Sequence, residues 1–276
     1  QAQAIETVYI PEKSRRTLCV SSQIGCLIDC PFCATGHQGF NRNLSSAEII
    51  GQVLLAKQAL RQELNQDHAI TNIVFMGMGE PLANFSETIK AIKILTDPNG
   101  FNLSRRRVTI STSGLVPQIM KLADYVNVSL AISLHAPFNK LRDELVPINR
   151  RHPIEALLDA CWFYAKHGRL KTVTFEYTLL KGINDQPKHA RQLCKLLKDR
   201  PAKVNLIPFN TFPGVAYQPT SIYQINEFRN ILLESGIMTI TRTTRGDDIK
   251  AACGQLSGTV NNLAKQSLGQ KLKTIN

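Results

Sequence analysis

Cys26-Leu27-Ile28-Asp29-Cys30-Pro31-Phe32-Cys33 brings three thiols together within eight residues, directly after a β-rich stretch. Three thiolates so spaced can take three corners of an iron–sulfur cube and leave one iron without a protein ligand, open to chelate a small molecule. A zinc site would ask instead for a fourth ligand in a tetrahedral shell, which His37 or the distant Cys253 would have to supply. The C-x3-C-x2-C spacing, with Phe32 before the last cysteine, favours the cluster. The chain has seven cysteines, four of them between positions 19 and 33, an odd and clustered set that suits metal or redox chemistry better than a disulfide framework.

Outward from this loop, β-rich and helix-rich segments alternate. Strands are predicted over 18–23, 70–76, 107–112, 126–134, 172–180, 203–209 and 237–242. Most are continuous apolar or β-branched runs, as parallel strands covered on both faces require. Helices are predicted over 46–63, 86–96, 116–123, 154–167, 186–197, 221–235 and 248–265. Ser45 with Glu48 reads as a capping box, Pro153 and Pro187 fall near helix starts, and Gly168 and Gly236 follow helical patterns. About six β-α units imply an α/β fold with a parallel sheet and right-handed crossovers, either an open doubly wound sheet or a barrel. In both, ligands sit at the carboxyl ends of the strands. Polar residues fall at those ends: Gly77-Met78-Gly79-Glu80, Ser111-Thr112-Ser113-Gly114, Ser133-Leu134-His135 and Asn210.

Composition sets the wider bounds. In 276 residues, 33 Lys and Arg against 21 Asp and Glu leave a net charge of +12, which points to a polyanionic partner. Basic residues gather at Arg15-Arg16, Arg105-Arg106-Arg107, Arg150-Arg151, and Arg242 with Arg245, as patches on folded structure; the 105–107 run is a candidate for phosphate contact. The first residues carry no basic and apolar signal pattern, and no apolar run approaches the ~20 residues of a membrane span. A cytoplasmic monomer without membrane contact is expected.

The cysteine loop resembles the hallmark of the radical S-adenosylmethionine superfamily, and Gly77-Met78-Gly79-Glu80-Pro81 is similar to its "GGEP" element, with Met in place of a Gly. Four further stretches resemble the RlmN group of RNA methyltransferases. They are Cys19-Val20-Ser21-Ser22-Gln23-Ile24-Gly25-Cys26, Gly39-Phe40-Asn41-Arg42-Asn43-Leu44, Ser133-Leu134-His135, and residues 245–256 from Arg245-Gly246-Asp247-Asp248 through Cys253 to Leu256. The sister group Cfr shares the cluster cysteines, but Ser22-Gln23-Ile24-Gly25 lacks the extra cysteine associated with it.

The resemblance implies a partial (β/α)6 radical SAM barrel over 17–243, preceded by an N-terminal segment 1–16 and followed by a C-terminal extension 244–276. The group's usual helical accessory domain has no counterpart in this sequence. The resemblance also implies one [4Fe–4S] cluster on Cys26, Cys30 and Cys33. S-adenosylmethionine, two per turnover, would be held by Gly79, Glu80, Ser111, Ser133, Leu134, His135 and Asn210. The implied reaction is methylation of C2 of adenosine 2503 in 23S rRNA and of adenosine 37 in tRNA, with a low-potential donor such as flavodoxin. Cys253 would carry the methyl group, Cys19 would release the product through a transient disulfide, and Glu6 would take the C2 proton. Cys161 and Cys194, within helical patterns, read as core. Other readings are a Cfr-like C8 methylase, a radical enzyme activating a protein partner, and a non-catalytic zinc-dependent RNA-binding module.

Overall fold

The computed structural model describes residues 3–12, 14–64, 70–168, 170–242 and 256. Its main sheet contains β1 (Val8–Pro11), β2 (Arg16–Cys19), β5 (Asn72–Phe75), β6 (Val108–Thr112), β7 (Ser129–Ser133), β8 (Val173–Leu179), β9 (Ala202–Pro208) and β10 (Met238–Thr241), hydrogen-bonded in that order. β1 pairs antiparallel to β2, and every later pairing is parallel. A separate two-stranded ribbon joins β3 (Gln23–Gly25) to β4 (Phe40–Asn43).

The helices are α1 (Ala34–His37), α2 (Ser46–Leu64), α3 (Phe85–Thr96), α4 (Val116–Tyr125), α5 (Asn139–Leu145), α6 (Ile154–His167), α7 (Pro187–Leu197) and α8 (Ile222–Glu234). The crossovers β2–α2, β5–α3, β6–α4, β7–α6, β8–α7 and β9–α8 each lead to the next strand in the sheet, and the order never reverses. A right-handed crossover repeated in one direction leaves every helix on the same face of the sheet. That is the winding of an open barrel; a doubly wound sheet requires a reversal of strand order.

All seven predicted strands form; β8 buries Val173, Phe175, Tyr177 and Leu179 completely on one face and Glu176 and Thr178 on the other, whereas the edge strand β10 exposes Met238 and Ile240. Burial of each such apolar side chain of β8 contributes roughly 1.5–3 kcal/mol. Tyr164 of α6 locks its helix to the sheet, donating its hydroxyl to the Val128 carbonyl at 2.8 Å and accepting from the Val128 N–H at 3.1 Å. Local helix signals behave as read. Glu48 N–H donates to Ser45 Oγ and Ser45 N–H to Glu48 Oε2, closing the capping box of α2. Gly168 N–H ends α6 on the Tyr164 carbonyl, and Gly236 N–H ends α8 on that of Leu233. Cys161 is buried in the core and Cys194 is half-buried against α8. The predicted helix 248–265 lies outside the described residues.

Candidate functional site

The cysteine loop hangs from the β3–β4 ribbon. Gly25 closes β3 at φ +75°, and Cys26 N–H donates to the Gly39 carbonyl at 2.8 Å across the ribbon. A Cβ at Gly25 would meet that carbonyl oxygen at 1.9 Å, so only glycine permits the approach. Within the loop, Cys33 N–H donates to the Cys30 carbonyl and His37 N–H to that of Cys33, starting α1.

The strand-end loop of β5 is sewn to the same segment. Ser22 N–H donates to the Met78 carbonyl, Met78 N–H to Ser21 Oγ at 2.9 Å, and Glu80 N–H to Gln23 Oε1 at 2.9 Å. Gly79, at φ +93°, lies so close to Gln23 that a Cβ would sit 2.4 Å from it. Thiols and acid are thus placed by one network spanning residues 21–23 and 78–80.

These elements enclose a cavity at the carboxyl ends of the parallel strands. Cys26, Cys30, Cys33, Gly79, Glu80, Ser111, Ser133 and His135 all line it, together with Thr112, Ser113, Glu176 and Leu256. Cys19 ends β2, buried, and Glu6 is half-buried with its carbonyl accepting from Ser21 Oγ; neither lines the cavity. Leu134 is buried in the core and takes part through its backbone, its N–H donating to the Glu176 carbonyl. Asn210, half-buried after β9, is not part of the wall. Cys253 lies outside the described residues.

The electrostatics suit a bound cationic group. Burial pushes the Cys26 and Cys30 thiols well above their ordinary range, and mutual repulsion with Cys33 adds to it. Three thiolates here would need a bound cationic group to hold them ionised. Yet among the described residues no three His, Cys, Asp or Glu side chains converge tightly enough to hold a single metal ion. The three thiols line one cavity wall. His37, the fourth-ligand candidate, is exposed with Nε2 2.7 Å from the Pro31 carbonyl oxygen.

Glu80 is fully enclosed. Burial raises its carboxyl, opposed by donors from Ser113 N–H at 2.7 Å, Ser113 Oγ at 2.8 Å and Leu82 N–H at 3.0 Å. His135, at φ +56°, accepts the Thr178 N–H on Nδ1 at 3.0 Å, which leaves its proton on Nε2. Burial, aided by the Arg142 charge, lowers its pKa to about 3, so it is a neutral donor and not a physiological base. Phe32 of the cysteine loop packs edge-on against its ring at 4.8 Å.

Two residues escaped sequence reasoning. Glu176 is a buried carboxylate on the cavity wall, raised by burial and anchored by Asn205 Nδ2 at 2.9 Å. An acid inside the β-branched and aromatic run Val173–Leu179 was its signal. Arg142 lies in α5, a helix not predicted, and nothing in Asn139–Leu145 marks it as buried. The arginine patches divide between the two ends of the sheet. Arg105–Arg107 and Arg16 precede their strands, at the end opposite the cavity, whereas exposed Arg150 and Arg151 lead into α6 at the cavity end.

Comparisons with known proteins agree with this geometry. Residues 20–194 match the sequence profile of the Radical SAM superfamily. A "Dual-specificity RNA methyltransferase RlmN" of Pseudomonas putida is 55% identical over 265 residues, covering 95% of this chain and 70% of that protein. The protein of the same name from Pseudomonas entomophila is 54% identical with the same coverage. The crystal structure of a radical SAM methyltransferase from Sphaerobacter thermophilus superposes with a TM-score of 0.87 at 46% identity, covering 91% of this chain and 73% of that one. Streptococcus suis SuiB bound to S-adenosylmethionine, 14% identical with a TM-score of 0.58, shares the fold. With its three loop cysteines and its strand-end acid on one cavity wall, the chain belongs to the radical SAM superfamily and, within it, to the RlmN family.

Proposed function

We propose that this protein methylates C2 of adenosine in 23S rRNA and tRNA. The observation that carries the reading is the meeting of Cys26, Cys30 and Cys33 with Glu80, Ser111, Ser133 and His135 on one strand-end cavity, in a chain whose relatives are RNA methyltransferases. Adenine C2 lies between two ring nitrogens and offers no lone pair to a sulfonium methyl, so polar transfer fails and radical addition is required. A [4Fe–4S] cluster with S-adenosylmethionine, used twice per turnover, supplies that radical chemistry when bound. The loop cysteines are the three protein ligands. Glu80, pushed toward its neutral form by burial, suits an ammonium group that restores its charge. The His135 Nε2–H and the hydroxyls of Ser111 and Ser133 supply donors; Gly79, Leu134 and Asn210 complete the set by resemblance.

Cys253 is the methyl-carrying thiol and Glu6 accepts the C2 proton; the Cys19 thiolate then attacks the Cys253 sulfur, an S–S bond forming as the S–C bond to the methylated base breaks and its carbon takes a proton, and a thiol reductant restores both cysteines. Leu256 supports the first assignment. It lines the cavity and its carbonyl accepts Thr35 Oγ1 at 2.7 Å, and a three-residue span reaches at most about 11 Å. RNA approaches from the cavity end of the sheet, where exposed Arg150 and Arg151 lead into α6. No helix of the described residues is long and apolar enough to cross a membrane. A cytoplasmic monomer served by a flavodoxin-like donor completes the proposal. Mass spectrometry of rRNA and tRNA from cells lacking and then regaining the gene tests it: C2-methyladenosine should vanish and return. Unchanged levels in both RNAs, or a modification at C8, would overturn it.

A further inference from the structure

Arg142 is the largest side chain in the structure with no solvent exposure. Its guanidinium donates from Nε to the Leu134 carbonyl at 3.0 Å and from Nη1 to Asn149 Oδ1 at 2.9 Å. From Nη2 it donates to the carbonyls of Ser113 at 2.6 Å and Ser133 at 3.0 Å. Every one of these partners is neutral. No carboxylate bonds it directly, the half-buried Asp143 reaching it only through Asn149; so weakly countered a buried charge is unfavourable, and burial weakens even this guanidinium's hold on its proton, bringing its pKa to about 10. Its position suggests what compensates. The carbonyls it grips end β6 and β7, the strands that present Ser111, Ser113, Ser133 and His135 to the cavity. Leu141 and Leu145 of the same helix pack in one apolar cluster with Phe32 and Cys30, so α5 backs the cysteine loop. The two carbonyls that Nη2 grips belong to Ser113 and Ser133, which line the same cavity as Cys30.

We propose that Arg142 is a positioning residue that serves as the fixed counter-charge of the iron–sulfur cluster. Holding the ends of β6 and β7 in register, it stabilises the cluster's reduced state. Reduction adds one negative charge to a cluster already held by thiolates, and net charge and nearby donors set cluster potentials. A cation fixed in a water-free site acts on that added charge at low effective dielectric. Arginine suits the place because its planar fork satisfies several diverging carbonyls while keeping its charge, which lysine does less well. The inference rests on the reading of Cys26, Cys30 and Cys33 as cluster ligands.

The test compares wild type, Arg142→Lys, Arg142→Gln and Arg142→Met, each reconstituted anaerobically with iron and sulfide. Iron content, circular dichroism and an EPR-monitored redox titration are read for each. At the potential that half-reduces wild type, the two neutral variants should show a tenfold lower ratio of reduced to oxidised cluster, a shift of 59 mV for a one-electron couple. Arg142→Lys should stay near the wild-type potential while unfolding at lower temperature, since it keeps the charge and loses the fork. Folded neutral variants that take up no iron while Arg142→Lys does would support the same conclusion. A neutral variant with full iron and an unshifted potential would overturn it. So would folded variants that all fail to load, lysine included, because charge would then not be the determinant. A wild type that takes up no iron overturns the cluster reading, and this inference with it.

Discussion

Substitution of Gly25 by alanine tests how the cysteine loop is held. At φ +75° an L-residue is strained by roughly 1–2 kcal/mol. The new Cβ would lie 1.9 Å from the Gly39 oxygen and 3.1 Å from the Phe40 Cα, both backbone atoms, so β4 must move away. That movement removes the Cys26 N–H bond to Gly39, a net loss of about 0.5–1.5 kcal/mol. Together the ribbon loses about 2–3 kcal/mol of local stability, an increase in its opening of about 100-fold at 1.4 kcal/mol per decade. Amide hydrogen exchange of peptides covering 23–43 reads this directly, and iron content after anaerobic reconstitution reads its consequence for the loop cysteines. Gly51→Ala in α2 is the control, because nothing lies within 4 Å of its Cβ position; helix propensity should make it stabilising by up to about 1 kcal/mol. Wild-type exchange and full iron uptake in Gly25→Ala would show that the close approach to Gly39 does not position the cysteines.

Charge reversal should separate the two ends of the sheet. Arg150→Glu with Arg151→Glu should weaken RNA binding and flatten its salt dependence by about 0.7 logarithmic units per lost phosphate contact, while Arg105→Glu with Arg106→Glu should leave both nearly unchanged. Filter binding across a salt series decides, and equal effects would contradict the approach of RNA at the cavity end. The two catalytic cysteine assignments demand opposite outcomes: Cys19→Ala should accumulate protein linked to RNA on a denaturing gel, and Cys253→Ala should form none. His135, neutral when folded with a pKa near 3, binds a proton in the unfolded chain first. Stability should therefore fall as pH drops from about 6.5 toward 3, by up to about 1.4 kcal/mol per unit. Urea titrations of His135→Gln should lack that increment, and an identical acid slope in both proteins would refute the buried neutral assignment.

The features that sequence alone determined about this protein are those decided over a few residues. Cysteine spacing marks the loop, unbroken apolar runs mark strands covered on both faces, and the Ser45–Glu48 pair caps its helix through bonds three residues apart. The seven parallel strands were legible from runs of apolar and β-branched residues, the exposed edge strand β10 included. The β3–β4 ribbon was not, because Gln23-Ile24-Gly25 and Phe40-Asn41-Arg42-Asn43 hold no apolar run, nor was β1, an edge strand defined by its pairing to β2. Tertiary structure decided the rest. Only the order of strands, set by how crossovers pack, separates an open barrel from a doubly wound sheet. Similar arginine runs fall on opposite ends according to whether they lead into a strand or into a helix. Glu176 and Arg142 are charged residues buried because partners brought by the fold satisfy them, Asn205 for one and the carbonyls of Ser113, Ser133 and Leu134 for the other; only Glu176, inside a strand run, carried a local signal. The proton on His135 is likewise assigned by the amide of Thr178, a neighbour that exists only once β7 and β8 lie side by side.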